Sequence, residues 1–126
     1  MKSVQEIEAE LTGPGGAFEI GFENVLGVRI KVFKTRNRSL REIVETSVNH
    51  ADNEYIICEE QRITFREHLA LVSAVAYHLR HTYDVKPGER VAILADNHPQ
   101  WIITFWATVS IGAICVGLNG WWRKDE

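Results

Sequence analysis

Val91 to Leu118 reads VAILADNHPQWIITFWATVSIGAICVGL, and the change of period along this stretch decides the fold. Val91 to Ala95 is a continuous apolar run of strand length, the pattern of an interior parallel strand covered on both faces. Asp96-Asn97-His98 supplies helix-start chemistry, and Pro99 suits the first helical position, where its missing N–H costs nothing. Trp101 to Ser110 then predicts an apolar helix. Gly112 stops it by taking a positive φ, and Ala113 to Leu118, with its β-branched content, predicts a second interior strand. Strand, helix and strand within about thirty residues make a βαβ unit.

The segments upstream extend the pattern. Val85-Lys86-Pro87-Gly88 is a turn, with positive φ expected at Gly88. Thr64-Phe65-Arg66-Glu67 is a capping box that opens a helix whose Phe65, Leu69, Val72, Ala76 and Leu79 form one stripe. That stripe is expected to bury against a sheet and to make a second crossover. Before it, Tyr55-Ile56-Ile57-Cys58 predicts a short strand, and Glu59-Glu60-Gln61 turns the chain into Arg62-Ile63. Ser39-Leu40-Arg41-Glu42 is another capping box, followed by Leu40, Ile43, Val44, Ser47 and Val48 at helical spacing as far as His50 to Asn53.

Residues 1–12 form an acidic, weakly amphipathic stretch that Gly13-Pro14-Gly15-Gly16 stops. Those glycines lack the following helix that a phosphate loop needs, so they read as a turn. Phe18, Ile20 and Phe22 alternate with Glu19 and Glu23, and Val28, Ile30 and Val32 alternate with Arg29 and Lys31, which predicts a hairpin. Residues 28–41 carry six basic side chains and no acid. Cross-strand pairing of Glu19 and Glu23 with Arg29 and Lys31 accounts for part of that run. Lys34, Arg36, Arg38 and Arg41 remain as a candidate anion patch. The fold class is α/β: an N-terminal hairpin followed by βαβ units of a doubly wound, mostly parallel sheet, in an incomplete domain. Residues 1–38 are expected to be a helix and hairpin extension, and 39–126 the first part of the main domain.

Composition narrows the function. Of 126 residues, 45% are apolar and 25% charged, which suits a globular chain and excludes a disordered or disulfide-dense one. A net charge of -3 argues against nucleic acid as a partner. Cys58 and Cys115 stand far apart and read as thiols in a reducing cytosol. The N-terminus has neither an h-region nor an Arg-rich amphipathic pattern, so a cytoplasmic location is expected. One stretch competes with that reading. Residues 97–122 are uncharged with His98 neutral, exceed the roughly 20 residues that span a bilayer, and are flanked by Trp and by Arg123-Lys124. A small single-pass protein spanning about 99–122 is therefore the alternative, with a stand-alone interaction module using the basic run behind it. The breaks at Gly112 and Gly117 and the strand-like Ile114-Cys115-Val116 count against a span.

Val85-Lys86-Pro87-Gly88-Glu89-Arg90-Val91-Ala92-Ile93-Leu94, Asn97-His98-Pro99-Gln100-Trp101 and Gly112-Ala113-Ile114-Cys115-Val116-Gly117-Leu118-Asn119 resemble, in order and spacing, the N-terminal region of the AMP-binding, adenylate-forming enzymes. They look most like the bacterial fatty-acid, long-chain acyl-CoA ligases. Arg62-Ile63-Thr64-Phe65-Arg66-Glu67 and Ser39-Leu40-Arg41 are similar to that family's earlier segments, as are the Phe18-Glu19-Ile20 hairpin and Asn119-Gly120-Trp121-Trp122. Gly117 departs from the proline the family often has. The resemblance implies a ligase that joins a fatty acid or other carboxylate to AMP from ATP, with Mg, and passes the acyl group to coenzyme A. It also implies that the machinery lies elsewhere. The sequence has no Ser/Thr/Gly-rich phosphate loop followed by Pro-Lys, no Tyr-Gly-x-Thr-Glu segment and no Thr-Gly-Asp. The chain thus reads as a truncated product, inactive alone, with Asp125 resembling a helix cap that no helix follows.

No catalytic, cofactor-binding or metal residue is assigned within the 126 residues. His78 and His81 stand at i, i+3, but apart from Asp84 no third ligand accompanies them, so they read as solvated. No G-x-S-x-G surrounds any serine, and Asn37-Arg38-Ser39 is a sequon without secretion. Trp101, Trp106, Trp121 and Trp122 suit either an acyl tunnel in a complete enzyme or ordinary core. Apolar surface left uncovered predicts that the chain self-associates.

Overall fold

A computed structural model describes residues 1–122, and Cα packing divides the chain into two compact units, Met1–Arg38 and Ser39–Glu126. The expectations placed on Arg123, Lys124 and Asp125 lie outside the described residues.

In the first unit Ser3 caps α1 (Val4–Thr12): its hydroxyl accepts the Glu6 N–H while the Glu6 carboxylate accepts from the Ser3 N–H. No residue of α1 is buried. Strands β1 (Ile20–Val25) and β2 (Val28–Phe33) form an antiparallel hairpin. Leu26 and Gly27 have φ of 50° and 83°, the primed turn that a two-residue connection requires, and that turn sets Val25 opposite Val28. The register then places Phe22 opposite Lys31 and Glu23 opposite Ile30. The expected pairing of Glu19 and Glu23 with Arg29 and Lys31 is therefore corrected. Arg29 lies 4.4 Å over the Phe22 ring, Glu19 bonds Lys34, and Glu23 takes Arg36 at 2.7 Å and Arg38 at 3.0 Å.

The second unit begins with α2 (Leu40–Thr46), capped where Ser39 Oγ accepts the Glu42 N–H, and continues as a 3-10 turn from Ser47 to His50. Strands β3 (Glu54–Cys58) and β4 (Gln61–Thr64) make an antiparallel ladder. Thr64 and Glu67 form the complete capping box of α3 (Phe65–His81). After the turn at Gly88 come β5 (Arg90–Ala95), α4 (Pro99–Ser110, with Pro at its first position) and β6 (Ile114–Asn119). β5 and β6 pair in parallel, Arg90 opposite Ile114 through to Ala95 opposite Asn119. This is the expected βαβ unit, and the chain is α/β. Gly88 and Gly112 take φ of 84° and 78°, as their positions require.

Two expectations change in detail. The α3 stripe packs chiefly on α4, with Val72 and Ile103 at the centre and Ala76 and Leu79 around them, because α4 is apolar on most of its circumference and offers a second helix to bury against. Among the described residues the strands form three separate two-stranded ladders, so α3 does not close a second parallel crossover and the parallel pairing is confined to β5 and β6. One crossover helix covers one face of that pair. Ile93 is buried, whereas Leu94, on the opposite face, is 65% exposed.

Segment 97–122 folds as a twelve-residue helix, a turn at Gly112 and a strand, and no helix among the described residues is long and apolar enough to cross a membrane. The spanning alternative is thereby corrected: the positive φ at Gly112 ends the helix well short of the length a bilayer needs.

Candidate functional site

Parallel strands joined by one helix leave a crevice beyond their carboxyl ends, the general place for a ligand in open α/β sheets. Here the crevice is an open cleft of about 740 Å³ lined by Asp96 and Asn97 after β5, Trp101 in the first turn of α4, Gly117 and Asn119 of β6, and Trp121. Local hydrogen bonds shape it. His98 N–H donates to the Asp96 carbonyl at 2.8 Å, and the Asn119 side-chain oxygen accepts the Trp121 N–H at 3.0 Å. A Cβ at Gly117 would sit 3.3 Å from Trp101 Cζ2, so the absence of a side chain there lets the indole lie against the strand. Trp101 also stacks on Phe105, centroids 5.9 Å apart.

The cleft offers one carboxylate, two amides and two indole faces. That set binds and orients; it holds no nucleophile beside a base and no second carboxylate for acid and base work. Of the four tryptophans, Trp101 and Trp121 share this cleft, Trp106 packs against the α3 and α4 core, and Trp122 is exposed. A single tunnel built from all four is not formed in these residues.

The other candidates resolve as follows. His78 Nδ1 lies 3.2 Å from Thr82 Oγ1, the His81 ring packs on Tyr77 at 4.4 Å, and Asp84 is bonded by Lys86. No group of three His, Cys, Asp or Glu among the described residues could hold a metal. Cys58 and Cys115 are free thiols, and burial pushes the Cys115 thiol up, away from thiolate. The candidate anion patch is occupied by acids: Lys34 by Glu19, Arg36 and Arg38 by Glu23, and Arg41 by Glu45 at 2.7 Å.

One residue that sequence reading passed over is His68. It is 1% exposed, neither ring nitrogen has a hydrogen-bond partner, and the ring packs 4.6 Å from Tyr55. Burial holds its pKa below the ordinary histidine value. Its position three after Phe65 and four before Val72, on the apolar stripe, was the signal available.

Comparison with known proteins adds the family. The family described as AMP-binding enzyme matches residues 44–126. The 3-hydroxybenzoate–CoA/4-hydroxybenzoate–CoA ligase of Thauera aromatica is 36% identical over 64 residues, 51% of this chain and 12% of that protein. The 2-succinylbenzoate–CoA ligase of Bacillus cereus is 35% identical over 75 residues, 60% of this chain and 15% of that protein. Klebsiella oxytoca NpsA in complex with 3-hydroxyanthranilyl-AMSN superposes with a TM-score of 0.68 at 25% identity, over 71% of this chain and 18% of that one. The anthranilate CoA ligase AuaEII in complex with anthranoyl-AMP gives 0.64 at 26%, over 68% and 16%. This chain thus spans about an eighth to a sixth of the length of these relatives.

Proposed function

The chain belongs to the AMP-binding enzyme family, and from that membership we propose that it is the N-terminal part of an ATP-dependent carboxylate–CoA ligase whose substrate is an aromatic acid. Residues 39–126 supply the start of the nucleotide-activating domain and 1–38 an extension ahead of it. The observation that carries the reading is the match over residues 44–126, together with relatives named for benzoate-type acids. Those names favour a planar aromatic carboxylate over the fatty acid suggested by the sequence resemblance. The family reaction condenses a carboxylate with ATP to an acyl adenylate and pyrophosphate, after which the thiol of coenzyme A displaces AMP.

The residues described here do not fit ATP with Mg. The cleft beyond β5 and β6 contains a single carboxylate, Asp96, and no basic side chain to meet a triphosphate. No step of ligation is therefore assigned to them. Their contribution is scaffold: the β5–α4–β6 unit fixes the loops at its carboxyl end.

The test is ATP–pyrophosphate exchange on the protein bearing this sequence, purified from its source cells with an antibody to residues 39–53. Exchange with 3-hydroxybenzoate, 4-hydroxybenzoate or 2-succinylbenzoate, well above exchange with palmitate, supports the reading. Preference for palmitate returns the substrate to a fatty acid, and no exchange with any carboxylate overturns the ligase. The 126-residue chain alone is expected to be silent in the same assay.

A further inference from the structure

Leu26 stands at the tip of the β1–β2 hairpin, and neither the turn nor water explains a leucine there. Its φ is 50°, in the left-handed region that Asn, Asp and Gly enter readily and a bulky apolar side chain enters at a cost. It is also fully exposed, with Val25 and Val28 exposed on either side of it. No residue of Met1–Arg38 is buried, so the tip adds nothing to a core of its own. Strain and exposure at one apolar residue point outward, to a partner.

The cations behind the tip narrow that partner. Lys34 is taken by Glu19, and Arg36 and Arg38 by Glu23. Arg29 and Lys31 meet no carboxylate among the described residues, and Arg29 lies over the Phe22 ring instead. The register puts both on one face of the hairpin, with Arg29 opposite Asn24 and Lys31 opposite Phe22. The acids of α1 belong to the other, open end, where the Phe18 N–H donates to the Leu11 carbonyl. At about 3.3 Å per residue, Arg29 stands roughly 10 Å behind the tip, with Lys31 about 7 Å behind it. From its tip backward the hairpin is thus apolar, then aromatic and cationic. The partner has to be layered to match, anionic at its surface and apolar beneath. A bilayer with anionic headgroups is layered in that order, and interfacial segments sink about 5–10 Å into it.

We propose that the β1–β2 hairpin docks on the surface of an anionic bilayer, with Leu26, Val25 and Val28 sinking below the headgroups and Arg29 meeting lipid phosphates. Lys31 stays within about a Debye length of the headgroups and adds to the attraction. Phe22, under Arg29, lies at the depth where aromatic rings favour the interface. The proposal concerns Met1–Arg38 alone and does not rest on the ligase reading.

The experiment is flotation of the full-length protein bearing this sequence with vesicles of phosphatidylcholine, alone or with about a third phosphatidylserine. Wild type is expected to float with the anionic vesicles and not with the neutral ones, and to be released by salt. Leu26→Asn keeps the turn, which Asn suits, so its thermal midpoint is expected to hold or rise while its partition falls about tenfold or more. The midpoint separates a lost contact from a lost fold. Arg29→Gln and Lys31→Gln are each expected to weaken partition about fivefold. A wild-type protein that does not bind the anionic vesicles overturns the proposal, as does equal binding to the neutral ones. So does binding that survives both Leu26→Asn and the paired Arg29→Gln and Lys31→Gln change, because it must then use another surface.

Discussion

Ile103 stands at the point where the packing of the second unit is decided, 7% exposed between Val72 and Ala107. Truncating it to alanine removes three carbons from a small core, and such deletions cost about 2–5 kcal/mol. A chain of this size holds only about 5–15 kcal/mol in total, so Ile103→Ala is expected to lower the urea midpoint severely; an unchanged midpoint would mean that α3 and α4 do not pack as described. Gly112 is the second single-residue test. With φ at 78° and Pro87 Cβ 3.4 Å from where a side chain would begin, Gly112→Val is expected to destabilise by about 1–2 kcal/mol. An unaltered melting curve would place Gly112 inside a continuous helix instead. Both positions were legible from sequence, Ile103 as a member of an apolar run and Gly112 as the stop to that run. The contact of Trp101 with Gly117 was not, because a strand residue and a helix residue sixteen positions apart meet only once the crossover handedness is imposed.

Helix starts illustrate what local chemistry can specify without tertiary help. Thr64 accepts the Glu67 N–H at 3.2 Å and Glu67 accepts the Thr64 N–H at 2.8 Å, so Thr64→Ala leaves the Glu67 N–H without its acceptor. The expected loss is about 1 kcal/mol, read as a shift in thermal midpoint, with Thr64→Ser close to wild type. If alanine and serine behave alike, the hydroxyl is not the cap. Ser3 and Glu6 build the same box in α1, and the Ser-x-x-Glu spacing there was equally readable. The hairpin shows the reverse case. Alternation located both strands, but alternation is indifferent to register, and the number of residues between Val25 and Val28 fixes which side chains face each other. The two-residue turn sets Glu23 opposite Ile30 and, continued past the last ladder pair, brings Glu19 to Lys34. The partner of α3 was hidden for a related reason: an apolar stripe says that something must cover it, not whether the cover is a sheet or another helix.

Charge distribution makes the two units differ as whole bodies toward acid. In residues 1–38 the perturbed acids are three glutamates: Glu6 is held below the usual range by the Ser3 backbone and hydroxyl, Glu19 by Lys34, and Glu23 by Arg36 and then Arg38. The second unit has the same kind of group, Asp52 beside Arg66 and Glu67 on the Thr64 backbone, and it alone has histidine. A carboxylate whose folded pKa is depressed stabilises the fold above its unfolded value and loses that contribution as pH falls through the folded one. For both units that loss begins below about 4.5, the ordinary glutamate value. His68 obeys the same sign at a higher window. Its folded pKa is depressed because the buried ring is neutral, so its penalty is absent above the ordinary value near 6.5 and grows as pH falls below it. Acidification from pH 7 to pH 5 is therefore expected to weaken α3 and β3, where His68 packs on Tyr55, before it touches the hairpin. Amide hydrogen exchange, corrected for its intrinsic pH dependence, reads the order directly: protection across residues 54–81 should fall first and protection across 20–33 should hold until below pH 4.5. His68→Phe, which fills the site with an apolar ring, should remove the early loss and leave the late one. Protection that falls in both units together, or an early loss that persists in His68→Phe, would show that the acid response is set by the surface carboxylates and not by the buried imidazole.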